Sequence, residues 1–336
     1  MKRVAVLGAG GWGTALAILS VHQGYDTTLW VRRADFCHQL QAERENHPYL
    51  PGVVLPEEIR LTSCLREAAY GREAVIVTVP SHAVRKLARD LAAHLSGDTL
   101  VISATKGLEV GSCRRMTEIW SEEIGGQERL VAISGPNFAA EVARGLPTAT
   151  VAASTSLAAA EAAQDLLMTS SLRVYTNPDL IGVELGGALK NIYAIAAGMV
   201  DGMELGLNGR AALITRGLAE LARLGEALGA SPLTFSGLSG LGDLILTCTG
   251  HLSRNHQLGE AIGRGLSPAE AWQGRAMVTE GVTTCRSAHD LARRLGVELP
   301  IVDQVYAILF EGQSPRQMVE NLMGRRPRHE REPVKM

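Results

Sequence analysis

Hydrophobic residues in the first half of the chain fall in short runs, and longer segments with helical spacing separate these runs. Short apolar and β-branched runs bounded by Gly, Pro, Asn or Ser are typical of buried strands, whereas apolar residues three and four apart are typical of helices. The alternation predicts an α/β fold with a mostly parallel, doubly wound sheet. The predicted strands are residues 3–7, 27–31, 73–80, 99–107, the start of 129–142, 147–154 and 172–179, and the predicted helices are 14–24, 80–95, the end of 129–142 and 157–168.

The strand pattern stops after Asn177 and Pro178, and long helical patterns follow. A chain of 336 residues exceeds what one hydrophobic core usually supports, so two domains are expected. We predict a sheet domain in residues 1–179, an all-helical domain in 180–324 and a charged, disordered tail in 325–336. The helices predicted for the second domain are residues 181–202, 209–229, 253–264, 267–273, 287–295 and 301–312.

One segment interrupts the alternation near the second strand. Residues 46–56 read NHPYLPGVVLP and contain three prolines. Proline donates no backbone hydrogen bond and is rare inside regular elements, so the segment is expected to be an ordered loop.

Composition and charge narrow the class of protein. Hydrophobic residues make up 46% of the chain and charged residues 20%, with 36 glycines, as in an α/β protein with many tight turns. The formal net charge is −2 and the pI is about 6.5, so no basic field is available to attract nucleic acid.

The cysteines and the N-terminus indicate a compartment. The five cysteines are odd in number, scattered and without a CxxC pair, which argues against a disulfide framework or a metal site and favours a reducing cytoplasm. The start, MKRVAVLGAGG, has too short an apolar run for a signal peptide, and no run approaches the ~18 apolar residues of a membrane span. We expect a cytoplasmic protein without a membrane span or a metal.

The first predicted strand leads into Gly8-Ala9-Gly10-Gly11-Trp12-Gly13 and then a helix. Strand, GxGxxG and helix in this order are the dinucleotide-binding fingerprint of a Rossmann-type domain. Gly8 would form the tight turn, Gly10 would let the backbone approach the pyrophosphate, and Gly13 would allow close packing of helix on strand. The helix N-terminus would bind the phosphates.

At the end of the second strand stand Arg32 and Arg33. A fold that prefers NAD usually places an acidic residue here to hold the ribose 2′-hydroxyl. Two arginines could instead bind the 2′-phosphate of NADP, or they could form a solvated basic loop. Both interpretations stay open.

Ligands of doubly wound sheets lie beyond the C-terminal ends of the strands. This rule places Arg32, Pro80, Lys106 and the turn Gly135 to Asn137 along one crevice. Lys106 could be a surface charge, but its place between a strand and a glycine at the expected rim favours a ligand contact.

The segment 182–208 is built almost wholly from small and apolar residues, with Lys190 in its middle and Asn191 next to it. An ammonium group inside an apolar helix either extends its head to water or needs a partner or a chemical role. Gly186, Gly187 and Gly198 would let another group approach the helix backbone closely. The segment therefore suggests a site around Lys190.

Two later motifs could complete that site. Asp243, in SGLSGLGDLILTC, could cap a helix or could face Lys190 as the carboxylate that a buried lysine requires. Ser253, Arg254 and Asn255 open a predicted helix, where the N–H groups and the guanidinium could bind an anion. A plain serine N-cap with a solvent-facing arginine is the alternative.

These motifs together resemble the bacterial-type NAD(P)-dependent glycerol-3-phosphate dehydrogenases, and the resemblance covers nearly the whole chain. This family reduces dihydroxyacetone phosphate to sn-glycerol 3-phosphate, which supplies the backbone of glycerophospholipids. The segments that carry the resemblance are GAGGWGTALA, NHPYLPGVVLP, ATKGLE, SGPNFAAEV, GVELGGALKNIYAIAAGMVDGMELGLNGRAALITRGLAEL, GLSGLGDLILTCTGHLSRN and VTEGV.

The resemblance implies a role for each matching position, with Lys190 as the general acid/base. The implied substrate-binding residues are Lys106, Gly135, Asn137, Asn191, Asp243, Thr247, Ser253, Arg254 and Asn255. The implied cofactor-binding residues are Gly8, Gly10, Gly11, Trp12, Gly13, Arg32, Arg33, Tyr49, Lys106, Ala139, Arg254, Val278 and Glu280. Ser239 and the pair Gly250 and His251 depart from the family pattern, but they lie between matched positions.

The resemblance further implies NADPH or NADH as cofactor, no metal, and a homodimer. In the expected mechanism Lys190 donates a proton to the developing alkoxide, Asp243 orients it, and Lys106 and Asn191 polarise the carbonyl. Two alternatives are a 3-hydroxy-acid dehydrogenase of similar build, in which Arg254 would bind a carboxylate, and an NADPH sensor without turnover. A sensor would need only the first domain.

Overall fold

The computed structural model describes residues 2–273, 280–327 and 329–330, and the first half of the chain forms an eight-stranded sheet. The strands are β1 (Arg3–Leu7), β2 (Asp26–Trp30), β3 (Glu45–Asn46), β4 (Leu50–Val54), β5 (Arg60–Thr62), β6 (Ala74–Val77), β7 (Leu100–Ser103), β8 (Leu130–Ser134), β9 (Thr148–Ala153) and β10 (Leu172–Asn177). The sheet has the order β10-β9-β8-β7-β6-β1-β2-β5, and all neighbours pair in parallel except β8 with β9.

Helices connect the strands and cover the sheet. They are α1 (Gly11–His22), α2 (Ala34–Glu43), α3 (Leu65–Ala69), α4 (Val84–Leu91), α5 (Met116–Ile124), α6 (Ala139–Ala143) and α7 (Leu157–Leu167), with 3₁₀ turns at Ser81–Ala83 and Gln127–Arg129. Alternate residues of β1 pack into two separate apolar cores, Val4 and Val6 in one and Ala5 and Leu7 in the other. A strand buried on both faces in this way confirms the doubly wound α/β prediction.

The prediction of an irregular loop at residues 46–56 is wrong. β3 and β4 form a two-stranded antiparallel ribbon, in which Glu45 pairs with Val54 and Asn46 with Leu50. Pro51 lies inside β4 at a position that is not one of these pairs. A strand whose other edge is unpaired tolerates a missing N–H there, so the prolines do not exclude a strand.

The second half of the described chain is helical. Its helices are α8 (Leu180–Gly202), α9 (Gly206–Ala227), α10 (Asp243–Thr249), α11 (Arg254–Gly263), α12 (Pro268–Trp272), α13 (Glu280–Leu295), α14 (Pro300–Phe310) and α15 (Pro315–Met323), with short turns at Pro232–Ser236 and Leu238–Gly242. Helix α13 begins seven residues before the predicted start, and α15 lies beyond the predicted helices. The division into domains at residue 179 stays a prediction.

Helix α8 is the centre of the helical half, and its sides are covered by α9, α10, α11 and α13. By length and hydropathy alone it would qualify as a membrane span, but 89% of its most apolar window is buried inside the protein. It is therefore a core helix, and Lys190 in its middle lies inside the protein.

Helices α8 and α11 cross with their backbones in contact. The contact is made by Gly198 and Gly202 on α8 and by Gly259 and Gly263 on α11. A Cβ added at Gly198 would lie 2.0 Å from the His256 carbonyl oxygen, and one added at Gly259 would lie 1.9 Å from the Ile195 carbonyl oxygen. The close approach that the glycines of α8 suggested is therefore made here by another helix.

Gly259→Ala is expected to lower the free energy of unfolding by about 1–3 kcal/mol, because the added methyl group must separate two packed backbones. Gly209→Ala is the matched control, since its added Cβ would have Val200 Cγ1 as nearest atom at 3.7 Å. Without a clash, alanine should stabilise α9 by about 0.5–1 kcal/mol. Urea unfolding of both variants checks the prediction, and equal changes would contradict it.

A buried carboxylate joins α8 to the sheet half. Glu184 accepts hydrogen bonds from the Thr117 backbone N–H at 2.8 Å and the Thr117 hydroxyl at 2.6 Å, and it pairs with Arg115. The first of these bonds satisfies one free N–H group in the first turn of α5. Glu184 lies in the turns of α8 that precede Lys190, so the contact helps to hold that helix against the sheet.

Candidate active site

The turn between β1 and α1 has the backbone geometry of a phosphate-binding loop. Gly8 has a φ of +118°, and a Cβ added at Gly13 would lie 1.9 Å from the Gly8 carbonyl oxygen, so both positions require glycine. Gly10 caps α1 without a side-chain hydrogen bond, and a Cβ added to it would meet no atom within 4 Å. The open N-terminus of α1 thus fits the pyrophosphate of a dinucleotide.

Trp12 and Ala139 lie beside this turn. A Cβ added at Gly11 would be 2.5 Å from the Tyr49 carbonyl oxygen and 3.7 Å from the Ala139 Cβ, so the ribbon and α6 both approach the start of α1. The indole Nε1 of Trp12 is buried and has no hydrogen-bond partner among the described residues. Buried donors normally have partners, so this atom is compatible with a polar group bound next to the turn.

The end of β2 forms a basic corner. Arg32 and Arg33 are both exposed, and the Arg33 guanidinium lies 5.2 Å from the centre of the Phe36 ring. Tyr49 packs edge-on against Phe36 with ring centres 5.7 Å apart. In dinucleotide-binding folds this corner holds the adenosine ribose, and here cationic and aromatic side chains line it.

Lys190, Asp243 and Thr247 form a buried centre between α8 and α10. The Lys190 ammonium donates to Asp243 Oδ1 in a short contact and to the Thr247 hydroxyl at 2.8 Å. The side chain of Lys190 is 8% exposed and that of Asp243 0%. Thr247 in turn donates to the Asp243 carbonyl oxygen at 2.6 Å. Asp243 is the first residue of α10, but the helix N-cap is Gly242 and no side chain caps it, so Asp243 pairs with Lys190 and does not cap the helix.

Lys106 shares the same carboxylate from the sheet side. Its ammonium donates to Asp243 Oδ2 at 2.7 Å, to the Gly135 carbonyl oxygen at 3.1 Å and to Asn137 Oδ1 at 3.0 Å. All three hydrogen-bonding positions of the ammonium are therefore used. Asn137 is itself fixed, because its Nδ2 donates to the Thr150 hydroxyl at 3.1 Å. The crevice predicted at the strand ends thus joins the helical half at Asp243.

Burial and the neighbouring charges change the acidity of Lys190. Burial lowers the pKa of Lys190 to about 8, while the Asp243 carboxylate opposes the shift and the Lys106 ammonium adds to it. A lysine with a pKa near 8 can both donate and accept a proton close to neutral pH.

The N-terminus of α11 forms the second part of the site. The Ser253 hydroxyl accepts a hydrogen bond from the His256 backbone N–H at 3.2 Å and so caps the helix. Arg254 lies in the first turn of the helix, and partial burial of its guanidinium lowers its pKa, while Glu280 and Tyr49 oppose this shift. The arrangement offers a guanidinium, backbone N–H groups and the positive end of a helix to an anion.

Asn191 and Asn255 join this candidate anion site to helix α8, which carries Lys190. Asn255 Nδ2 donates to Asn191 Oδ1 at 3.0 Å, and Asn255 Oδ1 accepts from the Gly281 backbone N–H at 3.0 Å. Both side chains are buried. The residue next to Lys190 is thereby fixed to the residue next to Arg254.

Glu280 contacts the sheet half. Its carboxylate accepts hydrogen bonds from the Ser81 backbone N–H at 3.0 Å and the Ser81 hydroxyl at 2.6 Å. The role predicted for Glu280 is a cofactor contact, and the structure places it beside Gly107, where an added Cβ would lie 3.2 Å from Glu280 Oε2. Val278, the other cofactor residue predicted in this segment, lies outside the described residues.

The structure therefore brings most of the predicted residues into three groups, and Arg32, Arg33 and Glu280 lie outside them. Lys106, Gly135, Asn137, Lys190, Asp243 and Thr247 form one hydrogen-bonded cluster. Asn191, Ser253, Arg254 and Asn255 surround the start of α11, and the glycine-rich turn with Trp12, Tyr49 and Ala139 forms the third group. Ser81 and Glu184 were not predicted, and the only signal for Ser81 was its place after Pro80 at a strand end.

One cavity in the described part of the chain does not belong to this site. A cavity of about 430 Å³ includes Tyr175, Asp179 and Leu233 and none of the predicted site residues. The Asp179 carboxylate in it already accepts from Gly182, Ser231 and Thr234. Among the described residues, no three His, Cys, Asp or Glu side chains are grouped so that they could hold a metal ion.

Family models match both halves of the chain. Residues 3–160 match the model for the NAD-dependent glycerol-3-phosphate dehydrogenase N-terminus, and residues 179–320 match the model for its C-terminus. A relative named glycerol-3-phosphate dehydrogenase (NAD(P)+) from Moorella thermoacetica is 49% identical and covers 98% of both chains. One of the same name from Pelotomaculum thermopropionicum is 48% identical over 99% of this chain and 96% of its own.

A solved structure is similar over the same length. The crystal structure of glycerol-3-phosphate dehydrogenase from Coxiella burnetii has a TM-score of 0.92 and 40% sequence identity, covering 96% of this chain and 99% of that chain. Glycerol-3-phosphate dehydrogenase from yeast shares the fold, with a TM-score of 0.82 at 24% identity.

Proposed function

The chain belongs to the NAD-dependent glycerol-3-phosphate dehydrogenase family, and we infer from this membership that it reduces dihydroxyacetone phosphate to sn-glycerol 3-phosphate. The reaction is reversible and uses NADPH or NADH, and its product feeds glycerophospholipid synthesis. Relatives that are 48% and 49% identical over nearly the whole chain are named glycerol-3-phosphate dehydrogenase. These names do not favour the two alternatives, a 3-hydroxy-acid dehydrogenase and an NADPH sensor. The observation that supports the chemistry is the buried Lys190–Asp243–Lys106 cluster between the two halves.

We assign the dinucleotide to the turn at the start of α1 and to the basic corner after β2. The Gly10 and Gly11 backbone and the N-terminus of α1 would hold the pyrophosphate, and Arg32 and Arg33 would contact the adenosine ribose. When bound, the reduced nicotinamide supplies the hydride that the carbonyl carbon receives. Proton transfer and substrate binding depend on side chains and backbone N–H groups of this chain.

Lys190 is the general acid in reduction. Its ammonium gives a proton to the oxygen that becomes the alcohol, and its neutral amine takes the proton back in the reverse reaction. Asp243 holds the ammonium in place through the bond to Oδ1, while Thr247 fixes it from a second direction. Lys106, on the other carboxylate oxygen, adds positive charge where negative charge develops.

Ser253, Arg254 and Asn255 bind the substrate phosphate. The guanidinium and the N–H groups of the first turn of α11 are suited to a phosphate, whose oxygens accept several charged hydrogen bonds at once. Asn255 connects this group to Asn191, next to the acid. Binding energy from the phosphate thus positions the carbonyl at Lys190.

The test is the loss of reduced-nicotinamide absorbance with dihydroxyacetone phosphate, using NADPH and NADH in parallel. We expect rapid oxidation of both, with NADPH preferred, because Arg32 and Arg33 offer positive charge to a 2′-phosphate. Arg32→Ala and Arg33→Ala should each lower kcat/KM for NADPH by about tenfold or more and leave NADH nearly unchanged. Protein that binds NADPH without oxidising it would refute the assignment.

We also propose a cytoplasmic location and a homodimer. The five cysteines are all unpaired, which is compatible with a reducing compartment. Two-fold dimers are the commonest assemblies of soluble enzymes. Sedimentation velocity measures the assembly directly, and a monomer at micromolar concentration would contradict the proposed dimer.

A further inference from the structure

Asn46 belongs to the β3–β4 ribbon, but its side chain reaches the glycine-rich turn. The side chain is completely buried, and Nδ2 donates to the Ala9 carbonyl oxygen at 3.1 Å and to the Thr14 hydroxyl at 2.7 Å. Both N–H bonds of the amide are thus used. The Ala9 carbonyl can only accept, so the position needs a donor and not an acceptor.

Thr14 extends this contact to the next peptide. Its hydroxyl donates to the Gly10 carbonyl oxygen at 2.9 Å, and its backbone N–H donates to the same oxygen at 2.9 Å. Two successive carbonyl groups, those of Ala9 and Gly10, are therefore held by Asn46 and Thr14.

Fixing two carbonyl groups also fixes two N–H groups. The described backbone contains no cis peptide bond, and in a trans peptide the C=O and N–H groups point in opposite directions. The Gly10 and Gly11 N–H groups must therefore point away from Asn46 and Thr14. Gly10 has open space, because an added Cβ would meet nothing within 4 Å.

We infer that Asn46 is a positioning residue of the cofactor site, which holds the Gly10 and Gly11 N–H groups toward the pyrophosphate. This inference rests on the dinucleotide assignment made above. It also gives the ribbon a role, because the Tyr49 N–H donates to the Asn46 carbonyl oxygen at 3.2 Å and the Tyr49 carbonyl lies against Gly11. The proline-containing segment thus supports the turn through Asn46 and Tyr49.

The inference is tested with Asn46→Asp, which keeps the shape and removes both N–H donors. A carboxylate oxygen would then face the Ala9 carbonyl and the turn would lose its orientation, while a negative charge would lie near the pyrophosphate. We expect the Kd for NADPH, measured by fluorescence titration, to rise about tenfold or more. The KM for NADPH should rise equally, whereas kcat at saturating NADPH and the KM for dihydroxyacetone phosphate should change about threefold or less.

Asn321→Asp is the matched control. Asn321 is exposed and its Nδ2 donates to Gln304 at 2.8 Å, so the same chemical change is made in α15. We expect this variant to bind NADPH with the wild-type Kd. An equal rise of the Kd in both variants would overturn the inference.

A second pair of variants covers the case in which Asn46→Asp does not fold. Thr14→Val removes the hydroxyl at nearly constant volume, and Thr14→Ser restores it. We expect Thr14→Val to weaken NADPH binding about fivefold or more, and Thr14→Ser to recover most of that loss. An NADPH Kd in Thr14→Val within about twofold of wild type would overturn the inference.

These binding measurements do not depend on turnover. If the wild-type protein binds NADPH but does not reduce dihydroxyacetone phosphate, the proposed reaction fails, and the ratio of Kd values still decides the role of Asn46. Hydrogen exchange of the peptide that contains Gly10 and Gly11 supplies a direct measure. Added NADPH should slow this exchange strongly in wild type and weakly in Asn46→Asp.

Discussion

Replacing Lys190 with alanine is expected to lower kcat for ketone reduction at least about 100-fold, because the proton donor is lost while the cofactor site is untouched. The Lys190 ammonium donates to Asp243 and Thr247, which lie on α10 and not on the glycine-rich turn, so NADPH should bind with nearly the wild-type Kd. Steady-state kinetics and NADPH fluorescence titration measure the two quantities.

Lys86→Ala is the control for removing a lysine. Lys86 is exposed and pairs with Asp90 one helical turn away at 2.7 Å, so its loss should leave kcat unchanged. A kcat for Lys190→Ala within about tenfold of wild type would remove Lys190 from proton transfer.

The pH dependence of the two reaction rates also reports on the protonation of Lys190. In the proposed mechanism reduction needs the protonated lysine, so kcat/KM for dihydroxyacetone phosphate should fall as the pH rises through about 8, the lowered pKa of Lys190. Oxidation of glycerol 3-phosphate needs the neutral amine and should rise over the same range. The inflection should disappear in Lys190→Ala, and an inflection that persists would belong to another group.

Asp243→Asn is expected to destabilise the fold by about 3–5 kcal/mol and to lower kcat/KM at least about 100-fold. The substitution removes the negative charge that is bonded to both ammonium groups and leaves Lys190 and Lys106 facing a neutral amide. Removing one partner of a buried ion pair is costly, because the remaining charge stays desolvated. Urea unfolding at neutral pH measures the first effect and steady-state kinetics the second.

Asp90→Asn makes the same chemical change at an exposed ion pair. Asp90 is 44% exposed, and its bond with Lys86 should contribute only about 0.3–0.5 kcal/mol. Equal losses in the free energy of unfolding in Asp90→Asn and Asp243→Asn would show that the buried carboxylate stabilises the fold no more than the exposed one.

The parts of the site that could be predicted are those in which one residue or one short segment shows by itself what it needs around it. The glycine-rich turn is encoded at Gly8 and Gly13, since each position excludes a side chain for a reason visible in the spacing. A buried lysine requires a carboxylate, so the pairing of Lys190 with Asp243 also follows from the residues. Nothing local showed that Lys106, 137 residues away from Asp243, would bind the other oxygen of that carboxylate.

Other features depended on tertiary contacts that no short segment reveals. Helix α13 begins at Glu280 and runs through Val282, Thr283 and Thr284, whose branched side chains have low helix propensity. Packing on α8 overrides that propensity. The ribbon was missed because the outer edge of a two-stranded sheet accepts Pro51, and a count of prolines does not distinguish an edge from a loop.

The glycine contact between α8 and α11 has a consequence for substrate length. Lys190 is carried by α8 and Arg254 by α11, and the two backbones touch at Gly198 and Gly259 with no flexible side chain between them. The helices cannot slide or separate without losing this contact, so the spacing between the proposed acid and the proposed anion site is set by the helix crossing and not by the ligand. If Lys190 and Arg254 have the roles proposed above, this fixed spacing should favour one number of carbon atoms between phosphate and carbonyl, and longer or shorter phosphorylated ketones should react more slowly.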